Sequence, residues 1–329
     1  MQIPEFWAEA RQEGAVGDRQ RVLRRFGWSD QSQQQAEQHA QHRVDEAFAQ
    51  LRAGRTVSQR ERKRAYGELG LPIREEVVAR NGNDVITRNS YGARCLNEPD
   101  VLFADIDVAP RMGALAEKAF HTVGCQLPLL AIVFGVVLLV RGQLSLAVLC
   151  TAIAVLVATA SLLGRSTQRA KPNTVAASHQ RMRDRLHEIA KKHPGCRFAV
   201  YDTPAGLRLL ALHQTFDPTS EAVQSLFRDL QTDPAYAQMC ALQNCFRARL
   251  TAKPWRIGLS RPPTKSWPHS DWARAPQAEW VAHYEERTRD FAACRYLEDV
   301  GDGTIDPRCE TVQRMHDELC QARTDLPLA

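Results

Sequence analysis

The chain has 329 residues, 44% hydrophobic and 25% charged, with a formal net charge of +5 and a mean hydropathy of −0.39. The apolar share excludes a disordered chain, the negative hydropathy excludes a many-span membrane protein, and the length suffices for a sizeable core. The averages conceal two concentrations, one of apolar residues and one of positive charge.

Residues 1–70 read as helical. Ser29 is a suitable N-cap after Gly27-Trp28, Gly54 a suitable stop, and Ala36, Ala40, Val44, Ala47, Phe48 and Leu51 form one apolar stripe at helical spacing. The opening MQIPEFWAEARQEG lacks an apolar core segment, so it is not expected to act as a secretory leader. Residues 76–80 and 84–88 alternate around Asn81-Gly82-Asn83 and predict a β-hairpin. After a break at Asn97-Glu98-Pro99, residues 101–108 read as a strand. Leu102, Ala104, Ile106 and Val108 share one face of it, and Asp105 and Asp107 share the other.

Residues 122–164 hold two apolar runs of roughly 19 and 21 residues around Arg141-Gly142-Gln143, each close to the ~20 residues that cross a bilayer core. They predict a transmembrane helical hairpin. Residues 165–193 carry eight Lys/Arg against Asp184 and Glu188, a local +6 that leaves the rest of the chain at −1. That bias predicts a two-span protein of the inner membrane with both termini cytoplasmic, the bilayer holding 122–164 and anionic lipid headgroups facing 165–192. Nine cysteines without CxxC pairing, two of them in the spans, suit free thiols in a reducing compartment.

Beyond the basic segment the chain predicts a helix over 176–192, strands at 196–202 and 207–213, helices at 220–230 and 233–243, and a short strand at 246–250. A Pro/Trp-rich stretch follows, then helices at about 277–296 and 309–323. Asp299–Asp306 misses the EF-hand template and reads as a polar turn between them. From 101 to 250 the order strand, helix, strand, strand, helix, strand is a split βαβ, ferredoxin/RRM-like α+β arrangement with an antiparallel sheet. The transmembrane hairpin is inserted in its first crossover. The expected parts are an N-terminal helical region (1–70), a discontinuous cytoplasmic α+β domain (71–121 and 165–258), the hairpin (122–164), and a Pro/Trp-rich segment with C-terminal helices (259–329). With strands in the order 4-1-3-2, Asp105 and Asp107 would lie beside Arg247 and Arg249 on an open sheet face.

Two carboxylates at i, i+2 on a strand can clamp one or two divalent cations, the arrangement that phosphoryl and nucleotidyl transfer requires. Residues 102–107 (LFADID) in an RRM-like palm resemble the first motif of the archaeo-eukaryotic primase superfamily. The turn and strand at 203–208 (TPAGLR) stand where that family has a small-residue turn leading to a histidine. Arg208 takes the histidine's place, and Arg247 and Arg249 occupy the strand where a third acidic motif would stand. The resemblance therefore implies either an active palm or a degenerate one. The stretches RNSYGARCLN (88–97), VLFADID (101–107) and FRARLTAKPWR (246–256) also resemble an uncharacterised bacterial two-transmembrane-helix protein family to which no activity is assigned.

Three readings of these residues stay open. Asp105 and Asp107 neutralise Arg247 and Arg249 in an ion-pair layer; or Arg208, Arg247, Arg249 and Lys253 bind an anionic, phosphate-bearing ligand; or Asp105 and Asp107 hold Mg²⁺ or Mn²⁺ for catalysis. The expected function is a membrane-anchored binding or scaffold module, with a metal-dependent nucleotidyl or phosphoryl transferase as the alternative. A nucleotide or nucleic acid is the partner class both allow. His213, the serines at 260, 266 and 270, and the tryptophans at 255, 267 and 272 carry weaker signals, the tryptophans reading first as packing residues.

Overall fold

The computed structural model describes residues 1–59, 61, 71–107 and 172–329. The chain divides into two units, Met1–Asp107 with Asp184–Ala329, and Val108–Arg183; the first is described below.

Its N-terminal part is a β-hairpin carrying a helix, where helix alone is expected. Strands β1 (Phe6–Val16) and β2 (Arg19–Ser29) pair antiparallel along their full length. The turn is Gly17-Asp18, with Gly17 at φ +59°, a left-handed conformation that glycine adopts without steric cost. Helix α1 (Gln33–Arg52) is capped by Ser32, three residues after the expected Ser29, and ends at Ala53-Gly54. Its expected stripe is real: Ala36, Ala40, Val44, Ala47 and Phe48 are buried against Ala8 and Leu23 of the hairpin. Gly27 lets helix and strand touch, since a Cβ there would stand 2.1 Å from the Ala40 nitrogen.

The predicted hairpin forms as β3 (Glu76–Asn81) and β4 (Asp84–Arg88). Strand β5 (Arg94–Glu98) follows, then β6 (Phe103–Asp107). Helix α2 (Pro172–Lys192) begins in the second unit and ends in the first. Strands β7 (Arg197–Thr203) and β8 (Gly206–Ala211), helices α3 (Glu221–Asp229) and α4 (Pro234–Gln243), and strand β9 (Phe246–Arg249) all stand close to their predicted places. Ser220 and Asp233 cap α3 and α4 through their side chains. The chain ends with α5 (Asp271–Thr288), β10 (Arg295–Gly301) and α6 (Pro307–Cys320). Strand β10 stands partly where helix and polar turn are expected. Its last residue, Gly301 at φ +101°, passes so close to β7 that a Cβ would meet the Cys196 carbonyl oxygen at 2.1 Å.

Strands β3 to β10 form two four-stranded antiparallel sheets, ordered β3-β4-β5-β9 and β10-β7-β8-β6. The 1-3-2 part of the expected ferredoxin-like order is present as β6-β8-β7. The fourth strand departs from it: β9 pairs with β5 in the other sheet. It still runs near β6, but Tyr236 of α4 stands between them. The phenol oxygen lies 3.0 Å from the carbonyls of both Phe103 and Arg247, donating its one hydrogen between them, and accepts the Arg247 N–H at 3.2 Å. A tyrosine hydroxyl thus replaces the expected ladder.

The expected open sheet face is closed. Helix α6 covers it, with buried His316 against Phe103 and Tyr201 at ring separations of 5.2 and 4.7 Å. The opposite face is apolar and buried too, through Ile106, Phe198, Val200, Leu207 and Leu209.

The expected transmembrane hairpin requires a second correction. Among the described residues no helix is long and apolar enough to cross a membrane. The longest of them, α2, carries three arginines and two lysines in 21 residues. The fold is therefore a mixed α+β structure with antiparallel sheets and no described membrane element, and the two-span inner-membrane placement is corrected with it. Residues 122–164, on which the hairpin was expected, lie outside the described residues, as do 165–171 at the start of the basic segment.

Candidate functional site

Strand pairing brings Asp105 and Arg208 directly opposite each other on β6 and β8. The guanidinium donates from Nε to Oδ1 at 2.9 Å and from Nη2 to Oδ2 at 3.5 Å. Arg208 is 3% exposed and Asp105 37%, so the acid lies at the rim and the base within. Burial by itself would lower the Arg208 pKa; Asp105 outweighs it, and the net direction is upward. The third nitrogen, Nη1, donates to the Arg249 carbonyl at 2.8 Å and lies 3.4 Å from Nε2 of His316. Arg208 thus links β6, β8, β9 and α6.

Arg247 points elsewhere. It donates from Nη2 to Glu75 at 2.6 Å, and Glu75 also accepts Thr87 Oγ1 at 2.7 Å. Asn97 completes this buried group by donating to Thr87 at 2.9 Å and to the Val85 carbonyl at 2.8 Å. Arg247 therefore belongs to the interior of the β3-β4-β5-β9 sheet and does not share a face with the aspartates. An ion pair is present on this face, but it joins Asp105 to Arg208, and Arg247 pairs with Glu75 instead.

Arg249 and Lys253 are drawn into a second cluster, which Arg256 completes. Arg256 closes a 3₁₀ turn, Pro254–Arg256. Burial first, then repulsion from Arg249 and Arg256, lowers the Lys253 pKa, while Asp107 and Asp105 pull it back. Arg256 is lowered in the same way, by burial and then by Arg249. Its Nη1 is buried without a hydrogen-bond partner among the described residues. Arg249 donates to the Thr251 carbonyl at 2.7 Å. Trp255, 50% exposed, stands beside them with Lys253 Nζ 5.7 Å from its ring centroid and Tyr91 edge-on at 5.4 Å. Trp272, 74% exposed, belongs to α5.

Of the six residues singled out from sequence, Asp105 pairs with Arg208, while Asp107, Arg249 and Lys253 share one electrostatic neighbourhood. Arg256 and Trp255 were within reach of the sequence, because KPWR places two cations around an aromatic; their convergence with Arg249 depends on the 3₁₀ turn. A hard dication at Asp105 would share its carboxylate with a buried guanidinium, so charge repulsion disfavours Mg²⁺ or Mn²⁺ there. The same cationic surroundings favour an anion. Comparison of the chain with protein families, curated proteins and solved structures returned no match.

Proposed function

We propose that the chain is a binding module for a phosphate-bearing ligand, held by Arg249, Lys253 and Arg256 with Trp255 at its edge. The observation that carries this reading is the convergence of the three cations Arg249, Lys253 and Arg256, the last with a buried Nη1 that has no hydrogen-bond partner among the described residues. A buried donor left unmade costs about 1–3 kcal/mol. A phosphate oxygen would satisfy it and relieve the repulsion among the cations. Guanidinium forks suit phosphate geometry. The half-exposed indole adds a face on which a base can stack, worth about 1–3 kcal/mol, so a nucleotide is the ligand class that uses both features. The transferase alternative gains no support here, because Asp105 is already forked by Arg208.

The test is calorimetric titration of the full chain with ATP and with inorganic triphosphate. Saturable, salt-sensitive binding is expected, tighter for ATP and weakened at least tenfold by Arg256→Gln. Trp255→Ala should weaken ATP but not triphosphate. Arg274→Gln, on the exposed surface of α5, is the control. Absence of saturable binding to either probe, or equal loss in the control, overturns the reading.

A further inference from the structure

A second cluster lies behind the Asp105–Arg208 pair and is independent of the phosphate reading. His316 and Cys320 stand four residues apart on α6, on one helix face. Cys294 immediately precedes β10. All three are buried. Cys294 Sγ lies 3.8 Å from His316 Nε2, and the three ligand atoms fall within 4.8 Å of one another. We propose that Cys294, His316 and Cys320 bind a thiophilic d¹⁰ dication of the zinc class.

Distance is the first support. Metal–sulfur bonds of about 2.3 Å and metal–nitrogen bonds of about 2.0 Å at tetrahedral angles place such ligands roughly 3.5–3.8 Å apart. The Cys294–His316 separation of 3.8 Å already meets that spacing.

The orientation of the imidazole is the second, independent support. Its Nδ1 lies 3.4 Å from Asp317 Oδ1, and that carboxylate is held by the Tyr201 hydroxyl at 2.6 Å and Arg323 Nε at 2.7 Å. On the other side, Arg208 Nη1 can only donate. The ring therefore carries its hydrogen on Nδ1, toward Asp317, and leaves Nε2 unprotonated, 3.4 Å from Arg208 Nη1 and 3.8 Å from Cys294 Sγ. A carboxylate behind a histidine is the arrangement that fixes metal-binding imidazoles.

Charge is the third. Binding a dication releases one proton from each thiol and forms two metal–thiolate bonds and one metal–imidazole bond. Two positive charges enter and two leave, so the cluster's net charge is unchanged and the neighbouring Asp105–Arg208 pair keeps its balance. The Arg249 carbonyl oxygen, which accepts from the Cys320 thiol at 3.6 Å, stands beside the same cluster. Full burial marks the site as structural, loaded as the chain folds.

The test uses the full chain produced under reducing conditions with Zn²⁺, then freed of excess metal. One tightly held zinc per chain is expected. X-ray absorption should give two sulfurs and one imidazole nitrogen in its ligand set. Substituted Co²⁺ should show thiolate charge-transfer bands and tetrahedral visible bands. Cys294→Ser and Cys320→Ser should abolish stoichiometric binding, Asp317→Asn should weaken it about 10–100-fold, and Cys196→Ser and Cys240→Ser should retain it. No bound zinc in the wild-type chain, a ligand set without two sulfurs, or undiminished zinc in both Cys294→Ser and Cys320→Ser overturns the proposal. Because the absorption spectrum is read on the wild-type chain, a variant that fails to fold does not affect that result.

Discussion

Asp105 and Arg208 face each other across β6 and β8, their Nε–Oδ1 separation 2.9 Å, with the cation enclosed and the anion at the rim. The two partners are therefore not interchangeable in what their loss would do. Asp105→Ala leaves an enclosed guanidinium without its counter-charge, and stability should fall by about 3–5 kcal/mol. Arg208→Met leaves a carboxylate that water can reach, and should cost less. The double variant should recover much of the loss. Urea unfolding of the four proteins measures this cycle; additive losses would show that the pair is not coupled.

The Tyr236 hydroxyl serves one atom of β6 and two of β9. Tyr236→Phe keeps the ring and strands those groups, so a loss of about 1–3 kcal/mol is expected. Hydrogen exchange at the Arg247 amide should accelerate more than exchange in β7. Unchanged exchange at Arg247 would remove the hydroxyl from its bridging role.

Arg308, at the start of α6, reaches Asp84, Glu98 (2.6 Å) and Asp100 (3.2 Å). Burial first, then the neighbouring Asp84 and Asp100 carboxyls, pushes the Glu98 pKa up to about 10 against the pull of Arg308. An unfolded glutamate titrates near 4.3. Between those values the folded chain holds a proton that the unfolded chain has lost, so stability from this group falls as pH rises. Glu98→Gln should raise Tm relative to wild type by an amount small near pH 5 and growing toward pH 9. A gap on the order of a few degrees corresponds to about 1 kcal/mol. A gap that shrinks with rising pH would contradict a protonated Glu98.

Gly27 is the contact point of β2 and α1. A methyl group there would meet Ala40 N at 2.1 Å and Ala36 O at 2.3 Å, both backbone atoms. Gly27→Ala should force α1 away from the hairpin and expose the Leu23–Val44–Phe48 cluster to limited proteolysis. Undiminished protease resistance would mean the helix can shift without leaving the hairpin.

The central elements were legible because their signals are local. Asn81-Gly82-Asn83 marks the β3–β4 turn, Ser220 and Asp233 mark two helix starts, and the alternation of 102–107 marks β6. The N-terminal hairpin was not legible in the same way. Ala, Glu, Gln and Arg favour helix, and only the Gly17-Asp18 turn signalled strands; burial under α1 decides the outcome. Strand β10 forms because β7 offers it an edge, which no feature within 295–301 announces. For the site, the pairing of Asp105 with an arginine follows from alternation and charge. Which arginine it meets depends on β9 joining a different sheet, a long-range choice. The cluster of Cys294, His316 and Cys320 carries no close sequence spacing, apart from the four-residue step on α6.

Helix α6 spans about 21 Å at 1.5 Å per residue. Arg308 near its first turn grips acids associated with β4 and β5, and His316 and Asp317 two turns later grip β6, β7 and β8. The helix is thus a keystone laid across two sheets that share no backbone ladder. It cannot slide by one residue without releasing both grips together, so loosening one sheet is felt at once by the other, and the two halves of the body should melt as a single cooperative step.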